Sequence, residues 1–141
     1  MLRTSLLATA FTVAFVMSAS AAMMQYHATL NTTSEVPSKQ GTGNGEALAT
    51  LDTAKKELTY TVTFNGLSGP ATAAHFHGPA AAGANAGVAA AIGKDPVSPV
   101  HGTATLTDAQ IKDLEAGKWY VNIHTAANPG GEIRGQVMPS K

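Results

Sequence analysis

The stretch Leu58-Thr59-Tyr60-Thr61-Val62-Thr63-Phe64 alternates apolar and threonine positions along its whole length. Successive side chains of a strand point to opposite faces, so this pattern predicts a strand with one face on a core and one toward solvent. Weaker versions of the pattern recur between turn residues: Met24 to Leu30, Glu46 to Leu51, Ala73 to His77, Gly87 to Ile92, Gly102 to Leu106, Lys118 to His124 and Glu132 to Met138. Several of these are rich in alanine, which has little preference for strands. Asn65-Gly66 and Asn128-Pro129-Gly130-Gly131 are turn signals, and the second predicts that the strands on either side lie antiparallel. One helix is expected over residues 108 to 116. Thr107 and Gln110 have the spacing of a capping box, Leu106 can staple onto Ile111, and Gly117 supplies the stop. Many short strands, frequent turns and one short helix predict an all-β fold, an antiparallel Greek-key sandwich or barrel.

The first residues read as an export signal over residues 1 to 22. Arg3 provides the positive end, Leu6 to Met17 the apolar run, and Ala19 to Ala22 the small residues suited to cleavage. The apolar run is shorter than the roughly 20 residues that a membrane-spanning helix needs, so no membrane insertion is expected and the product should be periplasmic or secreted. What remains, residues 23 to 141, suits one domain with a modest core. The chain has no cysteine, which excludes disulfides, thiol catalysis and thiolate metal sites. Loss of Arg3 takes the nine basic residues to eight, against nine acidic ones, with no run of either sign. Nucleic acid is therefore not an expected partner, because it rewards dense positive charge.

Two strand segments carry the chemistry. In Ala74-His75-Phe76-His77-Gly78-Pro79, His75 and His77 share a face and Phe76 takes the other. In Tyr120-Val121-Asn122-Ile123-His124-Thr125, Tyr120, Asn122 and His124 share a face. If the two strands share a sheet, three imidazoles can meet at a metal. Imidazole ligates through a neutral nitrogen at about 2 Å, and affinity among divalent ions peaks at copper, so His75, His77 and His124 suit copper first and zinc second. The competing reading has the same histidines clipping loops to the sheet by hydrogen bonds. Past the Asn128 to Gly131 turn, Glu132 and Arg134 are expected on the side of Asn122 and His124. These three polar residues are placed to orient a ligating histidine from behind, or else Glu132 and Arg134 form a surface pair. His27 and His101 are weaker candidates for an extra ligand and are read chiefly as exposed. The small-residue stretch from Gly78 to Gly87 is read as an ordinary inter-strand loop rather than a cover. No serine elbow, phosphate loop or zinc-protease helix is present, so no catalytic residue is assigned.

Taken in order, Ser34-Glu35-Val36-Pro37, Leu51-Asp52, Asn65-Gly66-Leu67, Ala74 to Ala80, Leu106-Thr107 with Leu114 and Gly117, Tyr120 to Thr125 and Asn128 to Gln136 resemble the CHRD (chordin-type) domain family, small exported bacterial members included. The resemblance implies a β-sandwich similar to copper/zinc superoxide dismutase, a fold that also holds copper on a His-x-His strand with a further histidine elsewhere. This chain lacks the dismutase cysteines and any evident histidine bridging to a zinc subsite. The function expected is export and binding of copper, buffering or carrying the ion. The alternatives are an interaction module for another periplasmic or extracellular protein or for matrix, with structural histidines, and, less favoured, a copper oxidoreductase of dismutase type.

Overall fold

The computed structural model describes residues 21–141. The export signal expected over residues 1 to 22 lies, but for its last two residues, outside them. Eight strands and one helix follow in the order β1 (Met23–Asn31), β2 (Asn44–Asp52), β3 (Glu57–Asn65), β4 (Ala71–His77), β5 (Val88–Lys94), β6 (Val100–Thr105), α1 (Asp108–Glu115), β7 (Trp119–Thr125) and β8 (Ile133–Pro139). Every expected strand is present, with its ends within two residues of the sequence reading. Among the described residues no helix is long and apolar enough to cross a membrane.

All strand pairs are antiparallel and form one sheet in the order β5-β4-β7-β8-β1-β2-β3-β6. The sheet curls into a nearly closed barrel, bringing its two edge strands, β5 and β6, near each other. Alternation decides what fills it. Tyr26, Ala28 and Leu30 of β1, Leu58, Tyr60 and Val62 of β3, Phe76 of β4, and Trp119, Val121 and Ile123 of β7 are all buried inside. Tyr60 meets Phe76 edge-on with ring centroids 5.1 Å apart, and Trp119 lies on Phe76's other flank at 5.8 Å. Burying each such side chain is worth about 1.5–3 kcal/mol, which is where a chain without cross-links finds its stability. At Gly135 of β8 a Cβ would run into the Thr29 carbonyl of β1, so the barrel can close there only on glycine.

Helix α1 begins as its sequence requires. The Thr107 hydroxyl accepts from the Gln110 amide at 3.2 Å, and the Gln110 side chain accepts from the Thr107 amide at 2.9 Å. Gln110 also donates from Nε2 to the Ala89 carbonyl at 3.0 Å, capping part of the exposed edge of β5. Leu114 is fully buried and ties the helix to the core. Thr107→Ala should therefore destabilise the protein by about 1 kcal/mol in a urea titration, with the slope of the transition unchanged.

The topology places β4 beside β7 and β7 beside β8. The register sets His75 against Asn122, His77 against Tyr120, Ala73 against His124, and Asn122 against Arg134. The condition on which the three-histidine reading depends, that the two histidine strands be neighbours, is met.

Candidate metal centre

With Phe76 committed to the core, β4 must turn His75 and His77 outward. Val121 and Ile123 do the same for Tyr120, Asn122 and His124 on β7. One nitrogen from each of His75, His77 and His124 lies within 4.8 Å of the others. His75 Nδ1 and His124 Nε2 are 3.1 Å apart, and the two rings meet at a steep angle with centroids separated by 5.1 Å.

Backbone carbonyls decide which nitrogen each ring presents. A carbonyl oxygen can only accept, so His77 Nδ1–H donates to Ala86 O at 3.1 Å and His124 Nδ1–H donates to Pro129 O at 2.9 Å. Both rings then hold a lone pair on Nε2. That of His124 faces His75 Nδ1, and that of His77 is buried with no hydrogen-bond partner at all. Buried polar atoms are seldom left unpaired, and a lone pair beside two further imidazole nitrogens has the chemistry of a metal ligand. Burial pushes the pKa of both His75 and His77 below the usual histidine value. The neighbouring His124 lowers that of His75 further, while the bond to Ala86 partly opposes the shift at His77. Both rings are thus biased toward the neutral form that ligates.

A polar layer covers the outer face of β7 and β8. The stretch from Gly78 to Gly87 is not the ordinary loop expected from its composition. Its carbonyls at Ala80, Ala84 and Ala86 accept from Gln136, Arg134 and His77, and Ala86 exchanges two bonds with the Tyr120 hydroxyl, each 3.2 Å. The physical reason is that Tyr120, Arg134 and Gln136 are long polar groups on a face that no other strand covers. A backbone of small residues can lie close enough to satisfy them. Glu35 joins this layer from the segment after β1, whose Val36 carbonyl accepts from Asn85, and Asn122 Nδ2 donates to its Oε1. Gly131, at φ +126°, leaves room for that contact, since a Cβ would strike both side chains. Burial pushes the Glu35 carboxyl up, against the opposing pull of Arg134.

The polar residues expected behind the histidines divide. Asn122, 2% exposed, lies directly opposite His75 but donates to Glu35, and its Oδ1 has no partner. Arg134 is on the expected face, although it does not pair with Glu132. Its guanidinium donates to Asn85 Oδ1 at 2.9 Å and Ala84 O at 2.6 Å and lies 3.5 Å from the centre of the Tyr120 ring. Glu132 is off that face, which corrects the alternation reading. It precedes the first residue of β8 and turns to the barrel end. There it accepts from the Ser68 amide at 2.7 Å, the Ser68 and Thr125 hydroxyls at 2.5 Å each, and Asn128 Nδ2 at 3.1 Å. It makes no contact with His124, whose ring bonds the Pro129 carbonyl of the same hairpin. His27 bonds Glu46 at 3.2 Å on the outside of β1, and His101 bonds Thr61 at 2.9 Å on β6. Neither joins the three.

Sequence reasoning missed Tyr120, whose ring stacks on His77 at 4.8 Å and within 4° of parallel. Its period-two relation to Asn122 and His124 was the signal available. The carbonyls of Ala86 and Pro129 left no signal, because any residue supplies one. Compared with known proteins, the chain matches the family model described as the CHRD domain over residues 26–137. No curated protein and no solved structure matched it.

Proposed function

This chain belongs to the CHRD-domain family, and from the geometry of its histidine cluster we propose that it binds one copper ion through His75 Nδ1, His77 Nε2 and His124 Nε2. The observation that carries the reading is the buried, unpartnered His77 Nε2 at the edge of a cluster of three imidazole nitrogens spanning no more than 4.8 Å. With bonds of about 2 Å, ligands at right angles are about 2.8 Å apart, tetrahedral ligands about 3.3 Å and opposed ligands about 4 Å. The 3.1 Å between His75 and His124 suits an adjacent pair in either geometry, and copper is preferred to zinc because affinity of imidazole sites for divalent ions peaks at copper. Occupancy requires His75 to carry its proton on Nε2, since Nδ1 faces the ion.

Three neutral ligands leave a coordination position for water or for a donor from another molecule. A site of this kind exchanges its ion rather than locking it away, which suits buffering or carrying. The charged, apolar and small-residue succession at the amino terminus supports a place for this task in the periplasm or outside the cell.

The test is elemental analysis and electron paramagnetic resonance after Cu(II) loading and desalting, with a Zn(II) competition alongside. One copper per chain with nitrogen coupling, displaced by zinc only in large excess, is the expected result. A protein that retains no metal would make the histidines structural and turn attention to an interaction module.

A further inference from the structure

The Arg134 side chain is 2% exposed, yet among the described residues no carboxylate lies within ion-pairing distance of it. A buried cation is costly unless its surroundings answer the charge. Here they are the Glu35 carboxyl, beyond ion-pairing distance but near enough to feel the guanidinium, and in direct contact the Ala84 carbonyl, the Asn85 side chain and the face of Tyr120. The three direct contacts lead to the same imidazole. Tyr120 stacks flat on His77, and Ala86, adjoining the two residues that Arg134 holds, accepts the His77 Nδ1 proton. The Tyr120 hydroxyl closes the circuit by accepting from the Ala86 amide and donating to its carbonyl.

We propose that Arg134 is a positioning residue for the copper site, fixing the ring plane and the tautomer of His77 through Tyr120 and through residues 84 to 86. The argument is geometric. A ring on a strand rotates about two torsions, and one hydrogen bond leaves rotation about that bond free. A flat neighbour removes this freedom only if the neighbour is itself held, and Tyr120 is held on its ring by the guanidinium and at its hydroxyl by Ala86. The carbonyl that selects the tautomer lies in a segment of small residues with no core side chain to anchor residues 81 to 87; Asn85 Nδ2 ties it to the Val36 carbonyl and Ala86 to the Tyr120 hydroxyl, and the two Arg134 bonds are its link to β8. The consequence for copper rests on the proposed function. The effect on His77 itself does not.

Two sets of measurements separate these. In the metal-free protein, long-range proton–nitrogen correlation of the His77 ring reports its tautomer, and amide exchange at Ala86 reports the loop. Wild type should show a single Nδ1–H form, whereas Arg134→Met should show mixed tautomers and exchange at Ala86 at least about tenfold faster. In the copper-loaded protein Arg134→Met should weaken binding about tenfold or more and alter the Cu(II) spectrum, the scale on which partners behind a metal ligand act. Arg134→Lys, which keeps a cation near the ring but lacks the fork, should fall between. Asn85→Ala, at an exposed position, removes one Arg134 bond together with the Asn85 bond to Val36 O and should shift every readout the same way by less, so it decides the matter if Arg134→Met does not fold. Folded variants with the wild-type tautomer and wild-type exchange at Ala86 would overturn the proposal. Failure of wild type to hold copper would overturn the copper reading alone, because the metal-free readouts would still decide Arg134.

Discussion

His77→Ala is expected to abolish copper retention while leaving the barrel folded. The substitution removes the one side-chain nitrogen among the described residues that is buried and unpartnered, together with the ring that Tyr120 stacks on. The fold should tolerate it, since Phe76 and Ala74 commit β4 to the core from the other face and the truncated side chain lies outside the barrel. The metal should not. Losing one of three imidazoles at about 3 kcal/mol corresponds to a loss of affinity of a hundredfold or more, enough for the ion to leave during desalting. His27→Ala and His101→Ala are the matched controls, because each removes a surface imidazole bonded to Glu46 or Thr61 and should leave copper content and spectrum as in wild type. A His77→Ala protein that keeps a full equivalent of copper with an unchanged spectrum would place the ion elsewhere on the chain.

Why the strands were legible and their closure was not follows from the range of the forces involved. Alternation is local, and the threonine-spaced run from Leu58 to Phe64 states it clearly enough to be read without a partner. The edge strands β5 and β6 are short and rich in alanine and glycine, yet their turns framed them. Strand order depends on contacts across the whole chain, such as β8 pairing with β1 and β3 pairing with β6, and no residue announces these. The site divides along the same line. His75, His77 and His124 were readable as one face once two strands were assumed adjacent. The carbonyls that choose their tautomers belong to Ala86 and Pro129, residues without chemistry of their own. The cover from Gly78 to Gly87 was misread because its composition resembles that of a free loop. Its order comes from Tyr120, Arg134 and Gln136, 34 to 56 residues on, whose side chains donate to its carbonyls. Glu132 was misplaced because alternation was extended one residue beyond the strand, to a position whose direction the turn decides.

Glu132→Ala should be the most destabilising substitution of a polar residue in this protein, at about 3 kcal/mol or more in denaturant titrations. The carboxylate is 3% exposed and receives four donors, from the Ser68 amide and hydroxyl, Thr125 and Asn128. Alanine would leave the buried Thr125 hydroxyl without this acceptor, would strip the partly buried bonds from Ser68 and Asn128, and would uncouple the segment at Ser68 from the β7–β8 hairpin. The more discriminating variant is Glu132→Gln, which keeps the shape but cannot be ionised. Burial alone would raise the Glu132 pKa; the bonds from Ser68, Thr125 and Asn128 outweigh it and hold the group below its usual value of 4.5. A carboxylate depressed by folding contributes stability that is present above its unfolded pKa and lost as pH falls through the folded one. The advantage of wild type over Glu132→Gln should therefore be full near neutrality and shrink as pH falls below about 4.5. Glu35, raised by burial, has the opposite dependence, but it is common to both proteins and cancels in the difference. A difference that stays constant down to about pH 3 would show that charge on Glu132 is not what holds the hairpin. The same hairpin presents the Pro129 carbonyl to His124, so Glu132→Ala should also weaken copper binding under conditions where the variant remains folded. Glu132→Gln, if it keeps the hairpin closed, should not. That split would tie the barrel-end carboxylate to the metal through the backbone it anchors, with no contact between the two.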